Sequence, residues 1–149
     1  MFTTAHLTSG ILVGVILGMR GDALAAFVLA SVFTDWDYAL QLLTGRNHRT
    51  FVTHSPFTYV AVLLPLGFWW PLAWPLLAGS LLHFALDVWE YGIRLNPFRN
   101  RIFGARLLPG IETTDFRTYM RMYWGDKRFL AAEVAFAAGA VAAVVLLVA

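Results

Sequence analysis

The sequence contains no cysteine, and only 13% of its 149 residues are charged. The lack of cysteine excludes disulfides, thiolate metal ligands and cysteine nucleophiles. A soluble domain usually has about 25% charged residues, so a chain with half that share and 59% hydrophobic residues is not expected to be one. A net charge of only +2 gives no reason to expect nucleic-acid binding. The composition therefore predicts a single membrane domain over residues 1–149.

Long apolar runs dominate the chain, and a membrane-crossing helix needs roughly 20 mostly apolar residues. The turn at residues 69–75 is rich in tryptophan and proline. Tryptophan prefers the headgroup level of a membrane and proline breaks helices. The sequence therefore predicts an all-α integral membrane bundle of about five spans, at residues 5–19, 23–43, 56–70, 76–90 and 129–149. The first two spans either cross fully or form a tight, partly re-entrant hairpin.

A basic stretch separates the fourth predicted span from the last. Aromatic residues between 116 and 124 recur there at helical spacing, while Arg117 and Arg121 lie on another face. Thr114 is a suitable cap for this helix, with Asp115 in its first turn. Such an amphipathic helix lies flat in the membrane interface or packs on the bundle. The domain is thus expected to have three parts: a four-helix metal-site bundle over residues 1–98, a basic interfacial segment over 99–128 and a final span over 129–149.

The distribution of charge predicts an orientation in the membrane. If the five spans alternate, ten of the eleven lysine and arginine residues fall on one face, and only Arg20 falls on the other. An excess of lysine and arginine is typical of the cytoplasmic face. We therefore expect a protein of the inner or plasma membrane, with its polar site on the cytoplasmic side and its C-terminus outside.

Ionisable side chains inside a membrane are costly and usually functional. In the alternating arrangement, all four histidines and three of the six aspartates fall at one depth near the cytoplasmic face. Imidazole and carboxylate groups are ligands of divalent cations. The candidate metal ligands are His6, Asp35, His54, His83 and Asp87, and the candidate catalytic residues are Asp37, His48 and Arg49.

The spacing of the acidic residues leaves alternatives open. His83 and Asp87 are four residues apart and share one face of a helix, so they can bind one ion or form a buried hydrogen-bonded pair. Asp35 and Asp37 are two residues apart, which is about 200° around an ideal helix. Either the helix is distorted there, or one aspartate ligates while the other supports it, or the two bind different ions.

The loop between the second and third predicted spans contains His48, Arg49 and His54. Ser55 and Pro56 favour the start of a helix directly after His54. The N-terminus of a helix attracts anions, including phosphate. The Arg49 guanidinium is suited either to binding phosphate or to anchoring a lipid headgroup.

These motifs occur in a defined order: His6; Asp35-Trp36-Asp37; His48-Arg49; Thr53-His54-Ser55; and His83 with Asp87. In this order they resemble the YdjM-like family of membrane-bound, metal-dependent hydrolases, over about the first two-thirds of the chain. Thr34 stands where members usually have proline, and the step from His48 to His54 is one residue longer than is common. The motifs are also similar to those of zinc-dependent phospholipase C, which implies a phosphoester substrate by analogy.

The residues and the resemblance together favour a membrane-embedded metal-dependent hydrolase. Its expected substrate is a phosphoester of an amphiphilic or lipid molecule, such as a phospholipid, at the cytoplasmic membrane face. Its expected cofactor is one or two divalent cations, zinc first, with manganese or iron as alternatives. A non-catalytic membrane protein is the alternative, with a metal that is structural or handled as an ion. The His-Glu-x-x-His pattern of metalloproteases does not occur.

Overall fold

Apolar runs form the helices of this protein, and glycine and proline mark several of their ends. In the computed structural model, which describes residues 3–46, 48–90, 92–98, 102–104 and 116–148, Gly18 and Gly45 adopt positive φ angles after helices. Pro56 begins another helix. The helices are α1 (Thr3–Ile16), α2 (Gly21–Phe33), α3 (Tyr38–Thr44), α4 (Pro56–Leu66), α5 (Ala73–Glu90), α6 (Phe116–Gly125) and α7 (Lys127–Val148).

The predicted all-α class is confirmed, with one small addition. Ile93–Arg94 forms strand β1, which pairs antiparallel with strand β2 at Ile102–Phe103. Ser55 was expected to cap α4, but its side chain makes no capping hydrogen bond. Its hydroxyl instead donates to the Leu95 carbonyl oxygen at 3.0 Å, which ties the loop before α4 to the hairpin.

The structure does not support the predicted bundle of five membrane spans. Among the described residues, only the segments Gly21–Thr44 and Lys127–Leu147 are long and apolar enough to cross a membrane. Helices α1 and α4 have 14 and 11 residues. At 1.5 Å per residue they are about 21 and about 16 Å long, short of the roughly 30 Å hydrocarbon core. The predicted spans were longer because the apolar sequence continues past Gly18 and Gly67, where turns end α1 and α4.

Close backbone contact joins the helices that surround the polar cluster. Helix α2 packs mainly on α5, while α1 packs on α2 and α7. A Cβ atom at Gly79 would lie 2.1 Å from the Phe27 carbonyl oxygen, so only glycine allows α5 to approach α2 this closely. Small residues serve the same purpose at helix contacts in membranes. This packing fixes the axial position of α5 beside α2.

The last two helices form a separate polar contact with α1. Tyr123 of α6 is fully buried, and its ring stacks on Phe129 of α7 at 4.9 Å. Glu133, in the second turn of α7, is buried. Its carboxylate accepts hydrogen bonds from the hydroxyls of Tyr123 at 2.5 Å and Thr4 at 2.7 Å. The C-terminal turn of α6 therefore packs on the bundle; the proposed cap at residues 114–115 lies outside the described residues.

Candidate metal centre

All eight residues predicted for the site meet in one cluster. Four separate parts of the chain bring them there, since α1, the turn after α2, the loop before α4 and helix α5 each contribute. Each residue lies within 4 Å of at least one other member. The cluster consists of His6, Asp35, Asp37, His48, Arg49, His54, His83 and Asp87.

A 3-10 turn places both Asp35 and Asp37 in the cluster. The turn covers Thr34–Asp37 and links α2 to α3. Two residues advance about 200° around an α-helix and about 240° around a 3-10 helix. The angle between the two side chains therefore falls from about 160° to about 120°. The His54 Nδ1 atom consequently lies 3.8 Å from Asp35 Oδ1 and 3.5 Å from Asp37 Oδ2. Of the three alternatives for these aspartates, the distorted helix is the one the structure shows.

His54 lies between carboxylates and is 1% exposed. Its Nδ1 atom faces Asp37, and its Nε2 atom lies 3.4 Å from Asp87 Oδ2. The Thr53 hydroxyl donates to the same Asp37 oxygen at 3.0 Å. Both nitrogens of one imidazole therefore face an acid, and the neighbouring threonine orients one of those acids.

The backbone of α2 decides which nitrogen of His83 faces the cluster. His83 Nδ1 lies 2.9 Å from the Ser31 carbonyl oxygen. A carbonyl oxygen can only accept, so Nδ1 carries the proton and Nε2 is free to ligate. The Nε2 atom lies 3.3 Å from Asp35 Oδ1 and 3.6 Å from Asp87 Oδ2. Metal-ligating histidines are commonly oriented by such a hydrogen bond on the other nitrogen.

His6 lies against the inner side of the cluster. Its ring stacks on His83 with the ring centres 3.9 Å apart. Its Nε2 atom lies 3.5 Å from Asp87 Oδ1, whereas His54 and His83 face the other oxygen of that carboxylate. The carbonyl oxygen of His6 accepts hydrogen bonds from the Ser9 and Ser31 hydroxyls, which fixes this end of α1 against α2.

Gln41 orients His48 through its Nδ1 atom, as the Ser31 carbonyl orients His83. The Gln41 Oε1 atom accepts hydrogen bonds from the His48 backbone nitrogen at 2.9 Å and from its Nδ1 atom at 2.8 Å. The Nε2 atom therefore carries the lone pair and faces Asp35 Oδ1 at 3.7 Å. Burial, and then the neighbouring Arg49 charge, lower the pKa of His48 to about 3. His48 is thus neutral at physiological pH, which is the form that binds metal.

The distances in this cluster fit a metal better than they fit hydrogen bonds. The histidine–aspartate separations run from 3.3 to 3.8 Å. An N–H···O hydrogen bond is about 2.7–3.2 Å long. Four ligands placed about 2.0–2.2 Å from a tetrahedral zinc ion lie about 3.3–3.6 Å from one another. The donor set and its spacing therefore fit a divalent cation.

Several buried donor and acceptor atoms of the cluster have no hydrogen-bond partner within the part of the chain that the structure describes. An unpaired buried polar atom is costly unless a ligand satisfies it. The atoms are His6 Nδ1 and Nε2, Asp35 Oδ1, Asp37 Oδ1, His54 Nδ1 and His83 Nε2.

Exposure differs strongly between the members of the cluster. His6, His54, His83, Asp37 and Asp87 are at most 1% exposed. The side chains that reach the surface are those of Asp35, His48 and Arg49, at 30, 13 and 19%. The Arg49 Nη1 atom also lies 3.3 Å from Asp87 Oδ2, so this guanidinium connects the open side to the interior.

Residues that only orient the cluster were not among those predicted. Gln41 and Ser31 carry no charge, so the cost of burying ionisable side chains does not identify them. Gln41 is a buried amide four residues after Asp37, so it lies on the same helical face, and that spacing could have identified it. The Ser31 carbonyl leaves no such signal, because every residue has one.

A sequence model of the family described as YdjM inner membrane protein matches residues 1–149 of the chain. No curated protein matches the chain, and no solved structure does.

Proposed function

The chain belongs to the YdjM inner membrane protein family, and on that premise we propose that it is a membrane-embedded, metal-dependent hydrolase. The observation that favours this proposal most is the spacing of the cluster. Carboxylate and imidazole atoms lie 3.3–3.8 Å apart in a buried place, too far for good hydrogen bonds and suitable for a shared cation.

A divalent cation is the proposed cofactor, with zinc first and manganese or iron as alternatives. Ligand sets of imidazole and carboxylate without thiolate suit these ions. When bound, such a cation acidifies water and polarises a phosphoryl oxygen. The proposed ligands are His6, Asp35, His54, His83 and Asp87.

The remaining three residues are proposed to act on the substrate side. Asp37 and His48 are candidates for the general base or for further ligation. The Arg49 guanidinium is suited to stabilising negative charge that develops on a phosphoryl group. Its 19% exposure supports this role, because a residue that contacts substrate must be reachable.

An amphiphilic anionic substrate, such as a phospholipid, is favoured by the residues near the open side. Trp36 is 43% exposed and Val52, in the loop that carries His54, is 50% exposed. Apolar side chains beside a polar opening suit a molecule with one charged end and one lipid end. Ten of the eleven lysine and arginine residues lie at positions 46–128, between the two candidate crossings or at the start of the second. This distribution favours the cytoplasmic face for the opening, with the C-terminus outside.

A non-catalytic role is the competing proposal, and the deep burial of most of the cluster favours it. In that case the cation would join α1, α2 and α5 or be handled as an ion. A structural metal site is closed, whereas a catalytic one keeps a position for water. Hydrolysis therefore distinguishes the two proposals, while metal binding alone does not.

The experiment uses detergent-purified protein with zinc and mixed micelles that contain phosphatidylglycerol. We expect hydrolysis on one side of the phosphate, which releases either glycerol phosphate or glycerol. Both metal content and hydrolysis should be lost in His54→Ala and in Asp87→Ala. Asp22→Asn, an exposed aspartate in the first turn of α2, is the matched control and should retain both. Full hydrolysis in either cluster variant would contradict the proposal, and bound metal without hydrolysis would favour the structural role.

A further inference from the structure

The cluster offers more ligands than one tetrahedral cation uses. Zinc takes four ligands in most protein sites. Two groups of four residues each have ligand atoms within 4.8 Å of one another, and the groups share Asp35 and His54. The deep group consists of Asp35, His54, His83 and Asp87; the loop group consists of Asp35, Asp37, His48 and His54. His6 is in neither group, so with two cations it contacts the ligands Asp87 and His83 and is not itself a ligand.

The deep group is complete and closed. The Nε2 atoms of His54 and His83 lie 3.4 and 3.6 Å from Asp87 Oδ2. His83 Nε2 also lies 3.3 Å from Asp35 Oδ1. Three of the four side chains are at most 1% exposed. Four protein ligands around one buried position leave none for water.

The loop group loses His54 once the deep group is filled. A neutral imidazole ligates through one nitrogen and carries its proton on the other. If His54 ligates through Nε2, its Nδ1–H is directed at Asp37 Oδ2, 3.5 Å away. Ligating histidines commonly donate to a carboxylate in this manner. Asp35, Asp37 and His48 remain, and this set of three includes the two ligands with the largest exposure.

We propose that the cluster holds two unequal cations: a closed one in the deep group, and an open one bound by Asp35, Asp37 and His48, with Asp35 shared between them. This inference rests on the proposed function for the presence of metal, and it adds the number of ions and the place where substrate binds. The open cation has three protein ligands, the number typical of catalytic sites that keep a position for water or substrate.

The charge of the cluster supports two cations and indicates the substrate class. When the histidines ligate metal they are neutral, and the three aspartates and one arginine of the cluster then sum to −2. A single divalent ion would neutralise this charge and leave no attraction for an anion. A second ion leaves a positive surplus at the side of the cluster where Arg49 is exposed. An anionic phosphoester, such as the phospholipid of the proposed function, fits such a site better than a neutral ester does.

The contacts around the second position resemble those of an oriented ligand set. Gln41 holds the Nδ1 side of His48 at 2.8 Å, and Thr53 donates to Asp37 at 3.0 Å. The contact at His48 leaves its Nε2 atom facing Asp35 Oδ1 at 3.7 Å, and the contact at Asp37 occupies Oδ2 and leaves Oδ1 for a ligand. The Asp37 Oδ1 atom, fully buried, has no hydrogen-bond partner among the described residues.

The test is metal stoichiometry, measured by elemental analysis of detergent-purified protein. The wild type should contain about two zinc ions per chain, and graded chelation should remove them in two steps, the open one first. The Asp37→Asn variant should contain about one zinc ion, and the early step of removal, which belongs to the open cation, should be absent. Asp22→Asn, the same change at an exposed position of the same segment, should keep both. One ion in the wild type, or a single step of removal, would overturn the proposal.

Manganese gives a readout that does not depend on any variant folding correctly. Two manganese ions that share the Asp35 carboxylate should show the exchange-coupled electron paramagnetic resonance spectrum of a pair. An isolated-ion spectrum at full loading would overturn the shared ligand. A protein that hydrolyses its substrate with one ion would refute two cations and leave the hydrolase intact. A protein with a coupled pair and no hydrolysis would support two cations and refute the hydrolase.

Discussion

Acidic side chains occupy two polar sites in this protein, and their carboxylates are stabilised in different ways. The Glu133 carboxylate accepts hydrogen bonds at 2.5 and 2.7 Å from Tyr123 and Thr4. Asp35 and Asp37 each keep an oxygen without a hydrogen-bond partner within the described part of the chain, and the histidines around them stand 3.3 Å or more away. The first carboxylate is satisfied by protein alone, whereas the second group is spaced for a cation.

The largest expected effect comes from matched acid-to-amide changes in the two groups. Asp87→Asn should lower the metal content through loss of the deep cation, because the amide removes a charged ligand that several histidines face. Glu133→Gln should leave the metal content unchanged and lower the free energy of unfolding by about 1–3 kcal/mol through one disrupted hydrogen bond. Elemental analysis and thermal melting in detergent measure the two results. Loss of metal from Glu133→Gln would remove the distinction between the groups.

Removal of the cation should come next in size. A ligand present at 1,000 times its dissociation constant stabilises the folded state by about 4 kcal/mol. Chelation should therefore lower the melting temperature of the wild type. His83→Ala, which lacks a proposed ligand of the deep cation, should show a smaller decrease with chelator than the wild type does. An equal decrease in both proteins would show that the chelator acts elsewhere.

A smaller effect is expected at Gln41, which touches a proposed ligand without being one. Gln41→Leu removes the acceptor that holds His48 Nδ1, and loss of such an orienting contact typically weakens metal binding about 10–100-fold. Gln41→Glu keeps an acceptor oxygen and should recover most of the affinity. The measurement is a zinc competition titration. Equal affinity in all three proteins would show that His48 does not bind metal.

The smallest effect is expected at the edge of the Glu133 contact. Tyr123→Phe removes one hydroxyl donor and retains the stacking on Phe129. The loss should be about 1–2 kcal/mol of stability, with no change in zinc stoichiometry. Thermal melting together with elemental analysis checks both parts. A change in metal content would mean that the contact between α6 and α7 also supports the cluster.

Sequence patterns predicted the members of the cluster better than they predicted the membrane crossings. The cost of burying charge made His83 and Asp87 conspicuous in an apolar stretch, and their four-residue spacing placed them on one face. The crossings were overcounted because apolar composition shows which residues avoid water and does not show where a helix ends. Helices α1 and α4 are too short. Helix α5 has 18 residues but is not apolar enough, because it contains His83, Asp87 and Glu90.

The sequence by itself determined the helical class and the chemistry available, because hydrophobic runs, turn residues and the types of ligand are properties of single residues and their near neighbours. Only the tertiary structure decided how that chemistry is arranged. The tautomer of His83 depends on a carbonyl 52 residues away, and Glu133 is satisfied by Thr4, 129 residues away. Such contacts follow from how helices pack, which local patterns do not specify.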